Sequence, residues 1–494
     1  MKKYIHLDII CNLLGVTSCS LDDNFTSNDP NAAPEASTCY DIYDAEADYH
    51  TFFRPKKAWV GDPMPFYDNG KFYIYYLHDT RPAGETFHPW YLATTTDLFT
   101  YEDKGKVIPC GADNSQEDAL GTGSVIKHNE TYYAFYTAHN GNLNPKEKIH
   151  LATSTDLISW QKKNDFSLQA SDNYDANEFR DPYVFKDGNT FNMLVTTRGY
   201  IPEVNDWQAV IAHYTSSDLI HWQLQSPFYY NSERVLECPD VFTMGQYQYL
   251  VYSNWDWANK NRKILYRYRK IGNSDWIIPS NDALDGDLFY GGKTISNGEN
   301  RYLTGWIPTR NAYNDGSDLS WGGSLAVHQL SQNDDGTLRV GVANILASKL
   351  SNDKPVGTFS LSGLEVKVFE RLEKTPQKIT TRITADTATQ FGIKVGACGN
   401  LRESYDLLFD LKGKTLSFNR NTREQSLVSI ASVHLPILTD KVFDVTLIVE
   451  GSVATIYVNN QTALSVRCYR MNQNTWGIFT NDGAVTFSDV KISK

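Results

Sequence analysis

At 494 residues, with 41% hydrophobic and 21% charged positions, the chain has the composition of an ordinary globular protein long enough for more than one core. Its formal charge of −12 excludes the basic footprint on which nucleic-acid binding relies. The seven cysteines are scattered, with no C-x-x-C pair and no metal-type spacing, so neither a zinc site nor a dense disulfide framework is implied.

The N-terminus reads as an address. Met1-Lys2-Lys3 gives a positive start and Ile9 to Val16 an apolar stretch, and Val16-Thr-Ser-Cys19 resembles the lipobox of bacterial lipoproteins. Residues 1–19 are therefore expected to be a lipoprotein-type signal with Cys19 as the acylated residue, a conventionally cleaved signal peptide being the alternative. Residues 20–50, polar and rich in Asp, Asn and Pro, are expected to form a flexible tether. The expected location is secreted, cell-surface or periplasmic in a bacterium, with membrane association only through that lipid. No later segment reaches the ~20 apolar residues needed to span a bilayer.

A repeat follows. Thr94-Thr-Thr-Asp-Leu-Phe-Thr-Tyr101 recurs as Ala152-Thr-Ser-Thr-Asp-Leu-Ile-Ser-Trp160 and as Tyr214-Thr-Ser-Ser-Asp-Leu-Ile-His-Trp222, spacing the aspartates by 59 and then 62 residues. Interleaved with it are five strand–turn–strand segments: Met64 to Tyr76, Ser124 to Tyr136, Pro182 to Thr196, Asp240 to Tyr252 and Leu288 to Trp306. Their turns, such as Asp68-Asn-Gly70 and Asp187-Gly-Asn189, use residues that tolerate positive φ. Units of this length and pattern predict an all-β protein with a five-bladed propeller over residues 51–345. From 356 to 494 the chain alternates apolar and polar residues, as in Ala454-Thr-Ile-Tyr-Val-Asn459, which predicts a β-sandwich.

In a propeller the first strand of each blade lines the central channel, so residues that open several blades converge. Blade one opens on Trp59-Val-Gly-Asp62-Pro63, blade three on Glu178-Phe-Arg180-Asp181-Pro182 and blade four on Leu236-Glu237-Cys238-Pro239. Each is expected to place a carboxylate just before a strand, beside a proline. Converging carboxylates suit glycosidic cleavage, where one group protonates the leaving oxygen and another attacks or activates water. Mutual repulsion raises one pKa, and Arg180 is expected to keep Asp181 ionised.

These motifs carry a family resemblance. Phe179-Arg-Asp-Pro182 and Glu237-Cys-Pro-Asp240 resemble the RDP and EC motifs of glycoside hydrolase family 32, the invertase, inulinase and levanase family, and Gly121-Thr-Gly-Ser124 resembles its serine-containing loop. Asp287-Leu-Phe-Tyr-Gly-Gly-Lys-Thr294 resembles its later tyrosine motif. The first motif departs: the family's W-M-N-D-P-N-G reads Trp59-Val-Gly-Asp-Pro-Met-Pro65 here, so both asparagines are replaced. The resemblance implies Asp62 as nucleophile, Glu237 as general acid and then base, and Asp181 as the holder of sugar hydroxyls. It implies Trp59, Ser124, Arg180 and Tyr290 as substrate-binding residues, an oligo- or polysaccharide as partner, and no metal or organic cofactor.

Three functions compete at this level. The first is a retaining hydrolase of fructosidic bonds in levan, inulin or sucrose-like sugars. The second is a propeller glycosidase acting on arabinosides or xylosides, and the third a surface glycan-binding protein without catalysis. Trp255-Asp-Trp257 and His88-Pro-Trp90 are further candidates for stacking on sugars or for edge packing.

Overall fold

The computed structural model describes residues 49–80, 88–256, 261–398, 401, 403–421, 428–436, 439–469, 471 and 474–494. Cys19, the expected signal and most of the expected tether lie outside the described residues, as does Trp257.

Five antiparallel meanders follow one another between Trp59 and Val342. Their inner strands are Trp59–Asp68, Ala119–His128, Tyr174–Asp187, Glu237–Met244 and Tyr290–Ser296. Each inner strand neighbours the next, and the fifth returns to the first, which closes a ring of five blades. The ring is also stitched where Val60 of blade one pairs with Gly323 on strand Leu319–Gln332 of blade five. In blade four the outer edge is reduced to single bridges, Leu265 to Ala283 and Tyr268 to Ile277.

Local chemistry explains the regularity. The first hairpin turns through Asn69 and Gly70, with φ of +49° and +79°, the left-handed pair that a two-residue turn between twisted strands requires. The repeated Asp-Leu motif closes the outer corner of the first three blades. Oδ1 of Asp97 accepts the Phe99 and Thr100 N–H groups, and Asp156 and Asp218 do the same for the residues following them. The adjoining Leu98, Leu157 and Leu219 take positive φ and bury their side chains.

The C-terminal part is two six-stranded antiparallel sheets packed face to face over Phe391, Phe409, Phe443, Leu447 and Trp476. One sheet is covered on its other face as well. Strand Val453–Val458 sends Ala454, Ile456 and Val458 into the sandwich core, while Val453 and Tyr457 join the apolar cluster of the propeller. The seam is also polar. Arg467, 1% exposed, donates to the carbonyls of Ile307 and Pro308 and to the hydroxyls of Ser324 and Ser452. Beside it, buried His328 bridges Asp285 and the Tyr457 hydroxyl.

Candidate active site

Every inner strand loses register with its neighbour beside the channel, and that of blade three does so a second time between Tyr174 and Phe179. The breaks beside the channel fall between Gly61 and Met64, Leu120 and Gly123, Arg180 and Tyr183, Glu237 and Asp240, and Tyr290 and Lys293. A bulge of this kind frees a residue from the ladder and re-aims its side chain. The bulge opens on Asp62, Asp181, Cys238 and Gly291 in blades one, three, four and five, all at positive φ. Proline follows in three of them, Pro63, Pro182 and Pro239, where the missing N–H costs no ladder bond. Asp62 and Asp181 thus lie inside their inner strands, not ahead of them, and Glu237 is the first residue of its own. Asp62 and Asp181 occupy equivalent positions; Glu237 stands one residue earlier than its counterparts, whose place Cys238 takes.

The side chains around these bulges converge. Asp62 accepts from the Thr122 hydroxyl at 2.7 Å and from the Trp306 indole N–H at 2.9 Å, so both its oxygens are held. Gly291 leaves room for the second bond: a Cβ there would stand 2.5 Å from Asp62 Oδ1 and 2.6 Å from Trp306 Nε1. Glu237 accepts from Arg180 Nη2 at 3.0 Å and, on its other oxygen, from the Tyr290 hydroxyl. Asp181 Oδ2 accepts the Cys238 N–H at 3.0 Å. Arg180 is gripped by Glu147 and Glu178 as well as by Glu237.

Burial dominates the electrostatics. It raises the Asp62 carboxyl above its usual range against the bonds from Thr122 and Trp306, and the Glu237 charge adds to the rise. Asp181 is pushed up to about 7, first by burial and then by the charges of Glu237 and Asp62. Arg180 opposes that rise but does not cancel it, contrary to the expectation that it keeps Asp181 ionised. Its own charge is shared among three glutamates. Burial also pushes the Tyr290 hydroxyl up, and the Glu237 charge beside it adds to the effect, so Tyr290 serves Glu237 as a hydrogen-bond donor.

Glu237, Arg180, Tyr290 and Trp306 line a cavity of about 220 Å³. Two other expected substrate residues lie elsewhere. Ser124 binds the Val184 N–H at 2.9 Å and ties blade two to blade three. Trp59 is buried beneath the guanidinium groups of Arg54 and Arg467.

Beyond the expected site residues the structure brings in Thr122, from the serine-containing loop, together with Trp306, Trp321, Arg198, Arg234 and Arg262, and it sets Trp255, a stacking candidate from the sequence, in the cavity wall. Arg262 is 8% exposed and rests on the Trp255 ring at 4.0 Å. Its Nε and Nη1 find no hydrogen-bond partner among the described residues, and burial lowers its pKa to about 10. A buried donor of this kind beside Glu237 and Tyr290 is suited to ligand hydroxyls.

Family models match almost the whole described chain. The Glycosyl hydrolases family 32 N-terminal domain covers residues 52–339, and the GH32, BT1760-like, C-terminal domain covers 336–492. The chain belongs to glycoside hydrolase family 32. Sucrose-6-phosphate hydrolase of Escherichia coli is 26% identical over 216 residues, 41% of this chain and 43% of that protein. Levanbiose-producing levanase of Bacillus subtilis (strain 168) is 27% identical over 219 residues, 41% and 38% of the two chains. The chain thus spans about two fifths of the length of these curated relatives. Among solved structures, fructan 1-exohydrolase IIa from Cichorium intybus superposes with a TM-score of 0.75 at 14% identity, over 92% of this chain and 98% of that one. Bombyx mori β-fructofuranosidase BmSUC1 gives 0.71 at 18%, over 92% and 95%, so the two share the fold.

Within family 32 the altered first motif has a structural counterpart. A Cβ on Gly61 would lie 2.0 Å from Cη2 of Trp321, so the indole fills the space over that backbone. Trp321 stacks on His88 at 4.1 Å and tilts against Trp306 at 5.7 Å. Met64, at the second asparagine position, is buried with its sulfur against the Gly123 N–H. Where the family motif has amides, this chain has an apolar wall and a packed thioether.

Proposed function

We propose that this family 32 chain hydrolyses fructosidic bonds in fructans or fructo-oligosaccharides such as levan, inulin or sucrose-like sugars, with retention of configuration. The observation that carries the reading is the arrangement of Asp62 and Glu237, each with both carboxylate oxygens held by donors from other blades. Such fixing is what a nucleophile and an acid–base group require to act on one bond. Asp62 attacks the anomeric carbon while Glu237 protonates the leaving oxygen; Glu237 then activates the water that releases the sugar. Asp181, bulged in from blade three, grips ring hydroxyls, and Arg180 and Tyr290 orient Glu237. The names of the curated relatives, hydrolases of sucrose 6-phosphate and levan, support the same chemistry.

A product profile from a fructan panel tests this. Glu237→Gln is expected to lower kcat by about 10²–10⁴-fold, and Asp62→Asn by at least as much, with released fructose or short oligosaccharide as the readout. Turnover surviving either change removes the assignment.

The indole over Gly61 favours a second reading, a glycosidase for another furanose or for pentosides such as arabinosides or xylosides. Losing amide donors changes which hydroxyls the site can reward. NMR of product anomers on fructans and arabinoxylans separates the two.

We also propose that Cys19 carries a lipid that holds the enzyme at a bacterial surface. Cys19→Ser is then expected to shift the protein from the membrane fraction to the soluble fraction.

A further inference from the structure

The hairpin of blade three reaches past the cavity. Its strands, Thr190–Ile201 and Asp206–Ser216, pair Arg198 with Ala209, Gly199 with Gln208 and Tyr200 with Trp207. Directly opposed residues project from one face of such a pair, as do residues two apart on a strand. Arg198, Tyr200 and Trp207 therefore share a face. Arg198 delivers its side chain to the wall of the catalytic cavity. Tyr200 and Trp207 stand one rung further out, about 7 Å along the strand, and are 44% and 48% exposed. The opposite face is occupied: Gln208 is buried, and a Cβ on Gly199 would meet the Tyr174 ring at 2.8 Å. A hydrogen bond from the Tyr200 hydroxyl to Asn205 Oδ1 ties that ring to its own turn.

We propose that Tyr200 and Trp207 form a binding platform for the part of a polysaccharide chain that extends beyond the cavity. The C–H bonds on the apolar face of a sugar ring carry partial positive charge and settle on the negative face of an aromatic ring, while the hydroxyl edge stays in water. Two neighbouring rings, continuous with the cavity wall through Arg198, offer that surface to the next sugar units. The platform rewards long substrates and is indifferent to the shortest ones. It deepens the fructan-hydrolase reading and rests on it for the identity of the sugar.

The test uses the full chain with Trp207→Ala, the double variant Tyr200→Ala/Trp207→Ala, and Trp207→Phe. Substrates are levan, inulin and the shortest fructo-oligosaccharide that the parent cleaves. The expected result is a fall in kcat/KM of about tenfold on polymer for the double variant, carried by KM. The oligosaccharide rate stays unchanged, and Trp207→Phe retains most of the polymer activity. Equal losses on polymer and oligosaccharide would mean that the pair only braces the hairpin and would overturn the proposal, as would no loss on polymer.

If the parent cleaves no fructan, the proposed function fails separately. Affinity electrophoresis of Asp62→Asn protein through levan, inulin or arabinoxylan then decides the platform. Retardation that the double variant loses upholds it with a different sugar, and no retardation by any polymer overturns it.

Discussion

Asp181 is 4% exposed, and burial together with the charges of Glu237 and Asp62 holds its carboxyl at about 7. An aspartate in the unfolded chain titrates near its ordinary value of 3.8, so the folded state binds this proton more tightly. The resulting stability is fully present below about pH 4 and is lost as pH rises through about 7. Asp181→Asn keeps the shape and the acceptor for the Cys238 N–H but has nothing to ionise. The variant is expected to be more stable than the parent by on the order of 2–4 kcal/mol at pH 8 and to converge with it at pH 4, while activity falls. Buried Glu450, also pushed up to about 7 by burial, is common to both proteins and cancels from the difference. Thermal melts across that range check this, and parallel curves for the two proteins would count against it. Gly61 poses a different constraint, because its φ is ordinary and only space is at stake. Gly61→Ala drives a methyl group into the Trp321 indole. The expected cost is about 1–3 kcal/mol of stability and roughly a tenfold or larger loss in kcat/KM. Trp321→Phe in the same chain should return part of it. Unchanged kinetics for Gly61→Ala would show that the indole takes no part in the sugar site.

At the level of strands, the legible features were the local ones. The turn residues of all five hairpins stand within a few positions of one another, and so do the Asp-Pro pairs and the Asp-Leu corner repeat. The bulges were not legible, since a one-residue slip leaves no trace in composition, and with them went the offset of Glu237 from Asp62 and Asp181. Nor were the partners that cross between blades. Thr122 reaches Asp62 over 60 positions and Trp306 over 244, distances at which no periodicity operates. Ser124 shows the converse: the motif was found, but its hydroxyl ties two inner strands together while Thr122 of the same loop serves the carboxylate. One relay laces three bulges. The Asp181 N–H donates to the Thr137 hydroxyl, that hydroxyl donates to the Thr122 carbonyl, and the Thr122 hydroxyl donates to Asp62. Thr137→Val preserves the shape and strands a buried N–H and a buried carbonyl. It is expected to cost about 1–3 kcal/mol and to lower kcat more than it raises KM, because Asp62 and Asp181 lose their common brace. Denaturant melts and steady-state kinetics read the two effects, and a KM-only effect would refute the brace.

The largest discrepancy between pattern and structure concerns the whole molecule. The alternation in Ala454-Thr-Ile-Tyr-Val-Asn459 predicts a sandwich strand, and such alternation commonly goes with one solvated face, yet Val453–Val458 is buried throughout because the propeller covers the second face. Thr455 tolerates this position by sharing a hydrogen bond with Ser465. The sandwich is thereby a wall of blade five, and Arg467 ties the two together with four hydrogen bonds, three of them to blade five. The guanidinium donates to Ile307 and Pro308, the two residues that follow Trp306 on the same strand, and Trp306 in turn holds Asp62. Removing the side chain at Arg467→Ala leaves two carbonyls and two hydroxyls without their charged donor inside the seam. Hydrogen bonds to a charged group are worth about 1.5–3 kcal/mol each, and they are not additive. A total loss of about 3–5 kcal/mol is therefore expected, seen as one cooperative transition at lower denaturant because the two parts share the seam. The surviving folded protein should show reduced kcat, since the strand that carries Trp306 has lost its backing. Arg467→Lys keeps the charge but not the fork, and should fall between parent and alanine on both measures. Two separate transitions in Arg467→Ala, with the propeller melting at the parent's midpoint and full activity below it, would show that the sandwich does not hold the catalytic ring in shape.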